Sequence, residues 1–104
     1  MDVPDLKALL VECITPQSKS RMNEMKDITK TAGYIVTGQV TQRRDAVDPA
    51  YCIGKGKLDD IEKTVREATI EVVIFTRQLS AGQIFRIGKN LATQFAFWIE
   101  TCSS

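Results

Sequence analysis

Four apolar runs alternate along the chain with three segments whose apolar residues recur at helical spacing. The runs combine β-branched and aromatic residues and predict strands at residues 9–14, 34–41, 70–75 and 95–99. The amphipathic segments predict helices that each bury one face. Their apolar positions are Met22, Met25, Ile28 and Ala32, then Leu58, Ile61, Val65 and Ala68, and finally Ile84, Ile87 and Leu91.

Short local signals mark where these elements begin and end. Pro16 closes the first run and predicts a strand-to-helix turn, and Gly33 follows the first helical segment as a candidate C-cap. Ser80 with Gln83 resembles a capping box. The order βαβαβαβ predicts an α/β fold with a four-stranded, mainly parallel sheet flanked by helices. The length of 104 residues predicts one domain over residues 1–104.

A basic connection between the second strand and the second helix is the strongest functional signal. Arg43 and Arg44 end the strand, and a Gly-Lys-Gly-Lys turn at residues 54–57 precedes the helix at Leu58. Glycines allow close backbone approach, and cations beside a helix N-terminus suit an anion, with phosphate as the first candidate. Ligands of parallel sheets bind beyond the carboxyl ends of the strands, where this connection begins.

Each candidate residue also has a purely structural interpretation. The turn at residues 54–57 can be a solvated loop, and neighbouring arginines in a strand point to opposite faces, which argues against one clamp. Tyr51 either stacks on a base or anchors the loop on the core, and the second is favoured. Cys52 is expected to be a buried small hydrophobe, and Asp59 and Asp60 are expected to meet the positive end of the helix dipole.

Composition excludes several classes of function. The formal net charge is +1, so nucleic-acid binding requires a local basic patch. The three cysteines, Cys13, Cys52 and Cys102, are odd in number and widely spaced, which favours a reducing compartment. Without histidine or a Cys-x-x-Cys motif, neither a metal site nor another cofactor is expected. With no apolar stretch of about 18 residues, the chain is expected to be cytoplasmic with no membrane partner.

The amino-acid sequence of the basic connection resembles a segment of the N-terminal domain of HflX-type GTPases. The resemblance rests on Thr-Gln-Arg-Arg at residues 41–44, Asp48-Pro49 and Ile-Gly-Lys-Gly-Lys-Leu at residues 53–58. It continues through the apolar strand at residues 72–75 and fades after Leu91. The chain departs from the family where Thr76-Arg77-Gln78 replaces acidic residues, and again in the segment from Phe95 onward.

The resemblance implies an α/β module that binds the large ribosomal subunit and its rRNA. It carries the contacts onto Gln42, Arg43, Arg44 and residues 54–57 (Gly54, Lys55, Gly56, Lys57), with Tyr51 added from its place in the loop. The family carries its P-loop in a later domain, and no glycine segment here has Walker A spacing, so no enzymatic activity is expected. The alternative is a nucleotide-binding domain that holds ATP or GTP through the same turn.

Overall fold

The computed structural model describes residues 6–91 and 95–98, and in this part three helices alternate with four strands. The strands are β1 (Lys7–Ile14), β2 (Ile35–Arg43), β3 (Val72–Phe75) and β4 (Phe95–Trp98). The helices are α1 (Met22–Thr31), α2 (Lys55–Glu67) and α3 (Ala81–Leu91). The predicted class, an α/β domain with a parallel sheet flanked by helices, is confirmed.

The described strands pair in parallel in the order β2-β1-β3-β4. Residues 6–91 contribute three of them, and β4 adds a four-residue strand beside β3. The chain moves outward from β1 to β2 and then returns across β1 to β3. Such a reversal opens a crevice at the carboxyl ends of the strands, which is where ligands bind in folds of this kind.

Helices cover both faces of the sheet. On one face, α1 packs against β1 and β3 through Met22 and Met25. On the other, α2 and α3 bury a larger cluster centred on β1 and β3. Its members include Leu9, Val11, Phe75, Leu58, Ile61, Val65, Ile87 and Leu91. Burial on both faces explains why β3 is continuously apolar.

Two predicted end signals are confirmed. Gly33 has a φ of 100°, its N–H donates to Lys30 O, and the Tyr34 N–H donates to Thr29 O, which is a Schellman motif at the end of α1. At the start of α3, the Ser80 N–H donates to Gln83 Oε1 at 2.9 Å, and the Gln83 N–H donates to Ser80 Oγ at 3.2 Å. These two bonds form the reciprocal capping box.

The start of α2 differs from the sequence prediction. The helix begins at Lys55 rather than Leu58, so most of the Gly-Lys-Gly-Lys segment is its first turn and only Gly54 lies outside it. Asp59 and Asp60 therefore lie in the second turn, and the expectation that they meet the helix dipole is wrong. Asp59 instead accepts a hydrogen bond from Lys55 Nζ at 2.9 Å.

Some predictions concern parts of the chain outside the described residues. Ile99, the predicted end of the last strand, and Cys102 are among them. The side chains of residues 95–98 are also outside that description, and with them the predicted outward face of Trp98.

Candidate functional site: a basic groove at the carboxyl edge of the sheet

A groove of about 780 Å³ lies between the carboxyl ends of β1 and β2. Both arginines of the basic connection line it, although alternation along a strand predicts opposite faces. The reason is that β2 ends at Arg43, so Arg44 belongs to the turn even though its N–H still donates to Ile14 O. The groove is lined by Ile14, Thr15, Pro16 and residues 43–49.

Arg44 is held against the start of α2. Its Nε donates to Ala46 O at 3.0 Å, and a Cβ added to Gly54 would lie only 2.8 Å from its Nη1. Gln42 Oε1 accepts a hydrogen bond from the Gly54 N–H at 2.9 Å. Gln42, Arg44 and Gly54 therefore form one local unit, in which the small size of Gly54 lets the guanidinium lie close to the backbone.

The first turn of α2 presents backbone N–H groups that have no intrahelical partner. Lys55, Gly56 and Lys57 occupy this turn, at the positive end of the helix dipole. Lys55 pairs with Asp59, and this hydrogen bond raises the pKa of the ammonium group, so the lysine stays charged while the carboxylate offsets part of its field. Gly56 is exposed, and a Cβ added there would meet nothing within 4 Å. No contact within the described protein explains that glycine.

The loop at residues 48–53 is ordered by its own hydrogen bonds. The Asp48 carboxylate accepts from the N–H groups of Ala50 at 2.8 Å and Tyr51 at 2.9 Å, and these bonds lower the pKa of that carboxyl. Asp48 and Cys52 exchange two backbone hydrogen bonds, and Cys52 has a φ of 71°. Gln83 Nε2 donates to Asp48 O at 3.1 Å and ties the loop to α3.

Tyr51 is half-buried and packs against the larger core cluster. The interpretation of Tyr51 as an anchor of the loop is therefore confirmed. Its side chain also lines a second pocket, of about 320 Å³, that is formed with α3. Tyr51 thus lies apart from the groove lined by Arg43 and Arg44, on the other side of the loop.

Cys13 and Cys52 are both buried free thiols. Burial raises the pKa of Cys13, and it raises the pKa of Cys52 to about 12. The expectation of a buried small hydrophobe at Cys52 is confirmed. Within residues 6–91 and 95–98, no group of three or more histidine, cysteine, aspartate or glutamate residues is arranged to hold a metal ion. In the same part of the chain, no helix has the length and apolar character needed to span a membrane.

A third pocket, of about 350 Å³, lies where the turns after β1 and β3 meet. Its floor contains Glu12, a carboxylate that the sequence analysis did not single out and that is only 3% exposed. Glu12 accepts hydrogen bonds from Ser20 Oγ, the Arg21 N–H and Thr76 Oγ1. In the amino-acid sequence, the signal that could have identified Glu12 is its position as a single charged residue within an apolar strand. These bonds join the two turns and hold the start of α1.

The family model for GTP-binding GTPase N-terminal domains matches residues 19–96. A relative from Caldanaerobacter subterraneus subsp. tengcongensis, named GTPase HflX, is 36% identical over 86 residues, which are 82% of this chain and 19% of the relative. A GTPase HflX from Thermococcus kodakarensis is 35% identical over 68 residues, which are 65% of this chain and 15% of the relative. The chain therefore spans less than a fifth of the length of either relative.

Solved structures share the fold. The structure of SsGBP in complex with GDP matches with a TM-score of 0.70 and 20% sequence identity, over 89% of this chain and 26% of that chain. A variant of SsGBP matches with a TM-score of 0.69 and 21% identity, over 88% of this chain and 29% of that chain. The resemblance carried by the basic connection is thus supported along most of the chain, which belongs to the family of GTP-binding GTPase N-terminal domains and, within it, to those of HflX-type GTPases.

Proposed function

We propose that this domain binds RNA, and that its target is rRNA of the large ribosomal subunit. The observation that carries the proposal is the shared placement of Arg43 and Arg44 in one groove at the carboxyl edge of the sheet. Two guanidinium groups in one groove suit neighbouring phosphates, since arginine binds phosphate through paired N–H donors. The groove is open to solvent, since Arg43, Asp45 and Pro49 in its lining are exposed.

The surroundings of the groove concentrate positive charge on a chain whose net charge is only +1. The turns after β1, β2 and β3, together with the first turn of α2, bring cations to this edge. They are Lys19, Arg21, Arg43, Arg44, Lys55, Lys57 and Arg77. Asp45 and Asp48 also line the groove and offset part of this charge, although backbone N–H groups already bind the Asp48 carboxylate. A local basic surface of this kind binds phosphate backbones without a strongly basic chain.

The proposal also includes RNA contacts by Gln42 and residues 54–57, next to the two arginines. It gives these residues no role in GTP hydrolysis. Gln42 already caps Gly54, so its contribution is to position the helix start as well as to offer its amide. Lys57 adds a cation in the first turn of α2. The alternative ligand, ATP or GTP held by the same turn, is separated from RNA by the experiment that follows.

Replacing Arg43 and Arg44 together with glutamine should weaken ribosome or rRNA binding roughly tenfold or more at moderate salt, because two phosphate contacts are lost. The slope of log affinity against log salt should flatten by about 1.4–1.8. Co-sedimentation of the 104-residue chain with ribosomes over a salt series measures both quantities. A thermal melt of the variant checks that loss of the bond from Arg44 to Ala46 has not unfolded the domain.

The matched control replaces Lys30 and Lys63 with glutamine. Both are exposed on helices, and the change removes the same charge from outside the carboxyl-edge turns. Equal loss in both double variants would mean a general charge effect and would contradict a groove-specific site. Binding that millimolar ATP or GTP abolishes, with a shallow salt slope, would instead support the nucleotide alternative.

Replacing Gly56 with alanine should raise the free energy of unfolding by about 0.5–1 kcal/mol, because alanine favours a helix and the added methyl group has open space. If RNA approaches the first turn of α2, the same methyl group should weaken RNA binding. Melting and co-sedimentation on one variant test both effects. Gly88→Ala in α3 is the stability control, since a Cβ there also meets nothing within 4 Å. A stabilised Gly56 variant with unchanged binding would place the contact elsewhere.

A further inference from the structure

The pocket that α3 forms with Tyr51 includes the exposed aromatic ring of Phe85 in its wall. The side chain of Phe85 is 66% exposed, while Ile87 and Leu91 on the same helix are buried in the core. The ring is therefore not needed to fill the interior. The lining of this pocket, which we call the α3 pocket, consists of Tyr51, Gly82, Phe85, Arg86 and Lys89.

Two cations, Arg86 and Lys89, share the lining of the α3 pocket with Phe85. Lys89, one helical turn after Phe85, places its Nζ 5.3 Å from the ring centroid. Arg86 lies in the same lining, and a Cβ added to Gly82 would lie 3.2 Å from its Nη1, so Gly82 leaves room for that guanidinium. An aromatic ring beside two cations offers a stacking surface together with partners for phosphate.

The α3 pocket and the basic groove share the loop at residues 48–53 as a wall. Asp48 and Pro49 line the groove, and Tyr51 lines the pocket. The hydrogen bond from Gln83 to Asp48 O fixes this loop against the start of α3. An RNA strand that follows the groove past this loop would therefore lead toward the α3 pocket.

We propose that the α3 pocket binds an unpaired nucleotide of RNA, with the base stacked on Phe85 and the adjoining phosphates against Arg86 and Lys89. The inference rests on the proposed RNA-binding function and narrows it, since it specifies that the RNA is single-stranded where it crosses α3. A duplex keeps its bases stacked on each other and cannot offer a base to the ring. The aromatic ring is what favours a nucleobase over an acidic protein segment, which needs only the cations.

The test compares Phe85→Ala with the intact chain on three probes: single-stranded oligouridylate of about 12 nucleotides, duplex RNA of equal length, and heparin, a polyanion without bases. Phe85→Ala should weaken oligouridylate binding about 5- to 150-fold, the loss expected when one stacked base is removed. The salt slope should stay unchanged, because no charge is removed. The binding of Phe85→Ala to heparin and to duplex RNA should match that of the intact chain, because neither probe offers an unpaired base. Phe85→Trp should retain binding to oligouridylate.

The outcomes of this experiment distinguish failure of the stacking site from failure of the RNA-binding function on which it rests. If the Arg43 and Arg44 double variant loses oligouridylate binding but Phe85→Ala does not, the RNA-binding function stands and the stacking site is wrong. Equal losses on heparin and oligouridylate in Phe85→Ala would also overturn stacking. If the intact chain binds ribosomes but not oligouridylate, only the stacking site is wrong, and if it binds neither, both proposals fail. Thermal melting should give the same midpoint for Phe85→Ala and the intact chain, because the ring is exposed.

Discussion

Replacing Glu12 with alanine should lower the free energy of unfolding by about 2–4 kcal/mol. The carboxylate is buried and accepts hydrogen bonds from Ser20 Oγ at 2.8 Å, the Arg21 N–H at 2.6 Å and Thr76 Oγ1 at 3.3 Å. Alanine leaves these donors without their acceptor and opens a small cavity. Because the bonds join the turns after β1 and β3 at the start of α1, their loss should loosen this edge. Denaturant unfolding measures the change.

Two further variants make the Glu12 test specific. In Glu12→Gln the amide oxygen can still accept a hydrogen bond from the Arg21 N–H, and the Ser20 hydroxyl can rotate so that its Oγ accepts one from the amide N–H. The free energy of unfolding should therefore fall by only about 1 kcal/mol. Glu24→Ala removes an exposed carboxylate that pairs with Arg21 at 3.3 Å, and its cost should stay below about 1 kcal/mol. An alanine variant at position 12 as stable as Glu24→Ala would show that the buried carboxylate does not support the edge.

Sequence pattern was most informative where the deciding interaction is local. The Schellman motif at Gly33 and the capping box of Ser80 and Gln83 each involve residues only a few positions apart, so the sequence alone predicts them. The apolar run of β3 was similarly clear, because burial on both faces leaves no polar position. Parallel pairing then followed from the alternation of strands and helices.

The start of α2 escaped prediction because a distant residue determines it. Glycines argue against a helix, so the segment from Gly54 to Leu58 had the character of a turn. In the structure Gln42, twelve positions earlier, accepts the Gly54 N–H and so helps the helix begin at Lys55. Lys55 then reaches Asp59 one turn later. This tertiary contact outweighs the weak local preference.

The sequence predicted where the two arginines lie on the sheet but not that both line one groove. The carboxyl edge of a parallel sheet placed Arg43 and Arg44 correctly, yet alternation suggested that they would separate. The end of β2 removes that constraint. The exposure of Phe85 was not predicted, because Ile84 and Ile87 already account for the apolar face of α3. Only a structure shows which apolar side chain remains outside the core.

The Cys52 thiol should react with a disulfide reagent at least roughly 30-fold more slowly in the native chain than in the unfolded chain at pH 8, because the scarcity of thiolate outweighs its higher nucleophilicity. Burial raises its pKa from 9.0 to about 12, so the reactive thiolate is correspondingly rare. A Cys13→Ala, Cys102→Ser background removes the signals of the other two cysteines, so the measured rate belongs to Cys52. Rapid modification of Cys52 under native conditions, at the rate found in denaturant, would contradict the buried placement.

The same pKa predicts how stability changes in alkali. Below pH 9 the Cys52 thiol is neutral in both states, whereas between pH 9 and about 12 it ionises only in the unfolded chain. The unfolded state is therefore favoured as pH rises, and stability should fall by up to about 1.4 kcal/mol per pH unit from this thiol. Cys52→Ala lacks the ionisation and keeps a residue of similar backbone preference at a φ of 71°. Its stability should decline less steeply over this range, while the lysines and tyrosines common to both proteins titrate alike. Parallel declines in denaturant unfolding would mean that Cys52 ionises at its ordinary pKa in the folded chain.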